Sequence, residues 1–149
     1  MRIIVDANIV FSAILNTNSK IADLLLNSNG IFDFIAPDYL LTEIKKYHKK
    51  ISLISKMTIE DVQDIEIKVT KSISFLSGVH VPGSKWIEAE QLVLDIDSKD
   101  TPYVAYSLFF KSRIWSGDRG LRNGLILKGF NKVISTDELF EIREKKRKK

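Results

Sequence analysis

Five acidic side chains sit where the sequence changes character. Asp6 follows the apolar run Ile3-Ile4-Val5, Glu43 falls early in an amphipathic segment, Asp97 and Asp100 flank a polar break, and Asp118 follows Ser116-Gly117. The chain has no cysteine and only two histidines, His48 and His80, which excludes disulfides, thiol nucleophiles, iron–sulfur ligation and the usual structural zinc sites. Any bound metal must be held mainly by oxygen. Hard oxygen donors suit Mg²⁺ or Mn²⁺, which keep several waters and share their coordination with substrate phosphate. Without a cation, clustered carboxylates repel one another and raise each other's pKa values. Each acid also has a plain reading: Asp100 as a helix cap, Glu43 as a surface residue, Asp118 as a turn former, Asp6 as a loop residue. What sets them apart is their order: strand-Asp, helix-Glu, helix-start Asp, strand-Asp.

The elements that must position them are short. Met1 to Val5 reads as a buried strand delivering Asp6 at its carboxyl end. Helices are expected over 8–15 and 19–27, the second capped by Ser19 and ended by Asn29-Gly30. A second strand covers 32–36, and a helix from Asp38 carries Glu43 and runs into the lysines around Lys49. A long helix is expected over 58–76, a third strand at 79–81, and helices over 86–94 and from Asp100 onward. Pro102 is tolerated in the first turn of the latter. The strand 113–115 leads into the turn at Asp118 and a helix over 121–127, and a last strand at 133–134 precedes a helix capped near Thr136 or Asp137. Alternation of short apolar strands with helices predicts an α/β domain, a three-layer α/β/α sandwich around a mainly parallel sheet of four to five strands. In such sheets ligands gather beyond the carboxyl ends of the strands, where Asp6 and Asp118 can share one crevice with Asp97 and Asp100.

At 149 residues and 44% hydrophobic content, one packed domain over residues 1–142 is the expectation. The net charge of +4 is concentrated at the end: residues 143–149 hold six basic side chains and one acid, so the body is near neutral. This segment reads as a basic tail able to follow phosphates, or as a solvated helix end. Lys45, Lys46, Lys49 and Lys50, with Arg119 and Arg122, flank the acidic positions and are the candidate nucleic-acid contacts. Trp86, Tyr103 and Tyr106 are candidates for stacking on bases, whereas Trp115, inside a strand, belongs to the core. No apolar run is long enough for a membrane span, and no leader is recognisable, so a cytoplasmic location is expected.

These residues resemble a known family. Asp6-Ala7-Asn8-Ile9-Val10-Phe11-Ser12-Ala13-Ile14-Leu15 resembles the opening motif of PIN domains, and Glu43 stands where the family has its second acid. Asp97-Ser98-Lys99-Asp100 with Val104-Ala105 resembles the third motif, and Ile114-Trp115-Ser116-Gly117-Asp118 the fourth. The resemblance implies a Mg²⁺- or Mn²⁺-dependent endoribonuclease with Asp6, Glu43, Asp100 and Asp118 as the acidic core and Asp97 as an auxiliary ligand. Asn8, Ser12 and Ser116 would be polar supports. Gly120 departs from the pattern, since many members carry another acid there. Small PIN domains also resemble VapC-like toxins of toxin–antitoxin pairs, which implies a homodimer and an antitoxin protein as partners besides RNA.

Two other readings are weighed against this one. A haloacid-dehalogenase-like phosphatase would use Asp6, but its leaving-group acid would fall on Asn8, which cannot protonate anything. A catalytically inactive PIN-like RNA-binding module would use the lysines and arginines alone and be indifferent to metal.

Overall fold

The computed structural model describes residues 1–148. Five short strands, β1 (Arg2–Val5), β2 (Asp33–Pro37), β3 (Ile73–Leu76), β4 (Arg113–Trp115) and β5 (Val133–Ile134), pair in parallel in the order β3-β2-β1-β4-β5. Ile3, Ile4 and Val5 are fully buried, which is why the central strand reads as a continuous apolar run with no alternation. The helices are α1 (Ala7–Leu15), α2 (Lys20–Leu26), α3 (Tyr39–Lys46), α4 (His48–Ser55), α5 (Ile59–Thr70), α6 (Gly83–Val93), α7 (Thr101–Phe110), α8 (Arg119–Ile126) and α9 (Thr136–Arg147). α7 packs on β1, β2 and β4 and against α6, while α1, α2 and α5 pack on one another and α9 packs on α2. The result is the expected three-layer α/β/α sandwich. No single helix among the described residues is long and apolar enough to cross a membrane.

Chain order reverses beside β1, which has β2 on one side and β4 on the other. That is the switch point at which a parallel sheet leaves a crevice beyond its strand ends. Val5 lies opposite Trp115, and the Asp6 N–H donates to the Trp115 carbonyl at 3.2 Å, so Asp6 and Ser116 leave the sheet side by side. Trp115 is fully buried and donates its indole N–H to Thr136 Oγ1 at 3.0 Å, as a core residue should.

Three local expectations need correction. The third strand is Ile73–Leu76, and the expected strand at 79–81 is instead mostly a 3-10 turn, Gly78–His80. Ile73 and Leu76 continue the helical i, i+3 spacing of α5, which hides the change; the helix stops at Thr70 because the next residues pair with β2, Ile73 opposite Phe34. The helix carrying Glu43 breaks at Tyr47, and α4 follows where no separate helix was expected. Finally, Arg143 does not begin a solvated tail. It lies in α9, 1% exposed, and donates to the Asp23 carboxylate at 2.5 Å and to the main-chain carbonyls of Asp23 and Asn27. α9 itself starts one residue early, on a capping box formed by Ser135 and Glu138.

Removing the Arg143 guanidinium takes one donor each from two carbonyls and a carboxylate and empties a packed site. Arg143→Ala is expected to lower unfolding stability by about 3 kcal/mol, measured by urea denaturation. A loss within a few tenths of a kcal/mol would mean that this cation contributes nothing to docking α9.

Candidate active site

Asp6 caps α1, its Oδ1 accepting from the Asn8 N–H at 3.4 Å, and is 4% exposed. Its Oδ2 accepts from Ser116 Oγ at 2.7 Å, and Ser116 Oγ in turn accepts from the Asp118 N–H at 3.1 Å. One buried hydroxyl thus ties the end of β1 to the turn after β4. Asp118 caps α8 through Leu121 N–H at 3.0 Å. A Cβ at Gly120 would lie 3.2 Å from Asp118 Oδ1, so the missing acid at this position leaves room for that carboxylate.

Glu43, half-buried on α3, accepts from the Tyr103 hydroxyl at 3.3 Å. Tyr103 is 2% exposed, and burial together with the charges of Glu43 and Asp6 pushes its pKa up, so it stays a neutral donor. Asp97 caps the 3-10 turn Ser98–Asp100 through Lys99 N–H at 3.0 Å. The 95–100 loop is pinned from below: Ile96 seats against Gly124 of α8, where a Cβ would come within 2.7 Å of Ile96 Cδ1, and Lys128 pairs with Asp95.

Asp100 is different. It occupies the cap position of α7 yet makes no side-chain cap bond, and its Oδ2 is the one buried side-chain polar atom without a partner among the described residues. Burial, with the charges of Asp6, Asp97, Asp118 and Glu43, pushes its pKa up to about 7. Burial also raises Asp6 against its Ser116 bond, and raises Glu43 against its Tyr103 bond. Asp100 therefore sits within the field of all four other acids. Among the described residues no three His, Asp or Glu side chains already form a metal-holding set, because most of these carboxylates are turned onto protein donors. The donor chemistry nevertheless fits a hard cation, and an unpartnered buried carboxylate oxygen is what such an ion would satisfy.

A cavity of about 380 Å³ opens on this cluster, lined at one end by Asp6, Asn8, Glu43, Asp97 and Asp100. Asp118 lies on the far side, in a shallower groove that shares Asp97. Ser12 does not line the cavity. Among the candidate cations, Lys45, Lys46 and Lys49 are exposed outside it, Arg119 is exposed at the start of α8, and Arg122 is taken up by Glu138 at 2.6 Å. Lys50 and Lys99 do line it. Lys99 was legible only as part of the Asp97–Asp100 motif, and Tyr103 was expected to stack on bases. Instead Tyr103 is a buried partner of Glu43, and Tyr106 is buried with the half-buried Trp86 edge to face against it.

In its ionised form Asp100 opposes folding. Its folded pKa of about 7 exceeds its ordinary 3.8, so the folded state holds the extra proton, and stability of the metal-free protein falls as pH rises between those values. Asp100→Asn, whose amide can donate to the neighbouring carboxylates, is expected to flatten that slope. It should also stabilise the protein at neutral pH by about 1–2 kcal/mol after discounting for partial exposure. Thermal melts from about pH 4 to pH 8 in EDTA would check this; an unchanged slope would count against the clustering.

No curated protein matches the chain. A family model described as PIN domain matches residues 4–138, from β1 through the first turn of α9, and so covers every acid described above. PIN domains are in general nucleases that hydrolyse phosphodiester bonds. On that match, over most of its length, the chain belongs to the PIN-domain family.

Proposed function

We propose that this protein is a Mg²⁺- or Mn²⁺-dependent endoribonuclease whose acidic core is Asp6, Glu43, Asp100 and Asp118, with Asp97 as an auxiliary ligand. The observation that carries the reading is the partnerless Asp100 oxygen, buried beside four other carboxylates at the switch point of the sheet. A structural cap would have found a donor. A divalent ion bound by these oxygens would supply an activated water and neutralise charge on the scissile phosphate.

The chain's own groups divide the work. Ser116 keeps the Asp6 carboxylate fixed and anchors the backbone before Asp118, and the Tyr103 hydroxyl orients Glu43. Asn8 borders the cavity as a neutral polar contact, and Lys50 and Lys99 offer positive charge where an anionic backbone must pass a negative centre. Exposed lysines on α3 and α4, with Arg119, extend that attraction along the surface. In this reading the substrate is met in the cytoplasm. A protein partner, an antitoxin or a second copy, is proposed from the apolar side chains that α4 and α5 expose: Leu53 is 74% and Ile67 65% accessible.

Mg²⁺ or Mn²⁺ is expected to raise the melting temperature by mass action and to support cleavage of single-stranded RNA. Asp6→Asn should lower kcat by roughly 10²-fold or more, the scale of removing one electrostatic group from a reacting centre. Gel assays with and without EDTA, alongside melts, test both. RNA binding that falls with salt and ignores EDTA, with no cleavage, would instead establish a binding module.

A further inference from the structure

The cavity has two unlike ends. Beyond the acids its wall is formed by Phe11 and Leu15 of α1, Tyr47 at the α3–α4 break, and Ile51 and Ile54 of α4, with Lys50 beside them. Phe11 and Tyr47 meet edge to face with ring centroids 5.3 Å apart, and the Lys50 ammonium lies 5.8 Å from the Tyr47 centroid. Neither ring is fully buried, while Leu15 is 41% and Ile54 60% exposed. Core packing does not require aromatic and aliphatic surface to be left open next to a cluster of carboxylates.

A phosphodiester held at the acidic end must project a neighbouring nucleoside along the cavity. The other wall offers what a base face wants, aromatic and apolar surface with a nearby cation for the next phosphate. In a duplex the faces of the bases are covered by stacking, so only an unpaired nucleotide can use this wall. We infer that the Phe11–Tyr47 wall is a nucleobase subsite that receives one unpaired base next to the scissile phosphate. This inference rests on the nuclease reading above and adds the residues that hold the base.

The test uses an RNA oligonucleotide with one mapped cleavage site and versions carrying an abasic residue at each flanking position. Wild-type protein is compared with Phe11→Leu and Tyr47→Leu, which keep apolar bulk but remove the ring and whose folding is checked by circular dichroism. At one flanking position, base removal is expected to lower kcat/KM about ten-fold for wild type, the order of a single base–aromatic stack. The penalty should largely vanish in the variants, and a complementary strand should block cleavage. Cleavage with no abasic penalty, or with the same penalty in all three proteins, overturns the subsite and leaves the nuclease reading standing. If nothing is cleaved, the nuclease reading fails separately. Quenching of a 2-aminopurine oligonucleotide by wild type but not by the variants then supports the subsite, and no quenching or equal quenching overturns it.

Discussion

Like charges removed from water at one point constrain the rest of this molecule. Asp100 keeps an oxygen without a donor, and four more carboxylates raise the cost of ionising it. A fold that gathers such groups needs rigid supports. The adjacent exits of β1 and β4 put Asp6 next to Ser116, whose hydroxyl bonds the Asp6 carboxylate and the Asp118 amide at once. The 95–100 loop is held by the fit of Ile96 against Gly124 and by Lys128 on Asp95. These devices hold the acids in position, and on the proposed reading a cation would offset their charge.

That strain is affordable because the scaffold beneath is apolar and tightly paired. β1 is fully buried from Ile3 to Val5, and α7 is buried from Tyr103 to Ser107 between the sheet and α6. Burying such side chains contributes about 1.5–3 kcal/mol each relative to exposure, so together they outweigh the cost of any one carboxylate. α9 closes the far side through Arg143, a cation whose donors are spent on carbonyls and a carboxylate of the α2 region.

The second consequence is asymmetry. The break at Tyr47 turns α4 so that Tyr47, Lys50, Ile51 and Ile54 face the same cavity as the acids. On the proposed reading, hard oxygen donors at one end would take the phosphate and the aromatic and aliphatic surface at the other the base, so backbone affinity and base selection would come from different residues.

The sequence by itself determined four of the five strands and where the candidate acids stand along them, because both rest on short-range signals. Apolar runs of strand length flanked by turn residues mark β1, β2 and β4, and an acid at a strand end or helix start is read from its neighbours alone. Thr58 and Ser19 were legible as caps for the same reason, since capping joins residues two or three apart. Tertiary structure decided what depends on distant partners. Pairing with β2 took Ile73–Leu76 out of a helical pattern, and docking against Asp23 and Asn27 drew Arg143 out of a basic tail. The same holds for Tyr103, Phe11 and Tyr47, whose roles follow from which cavity or carboxylate they meet across the fold, a contact that local spacing does not encode.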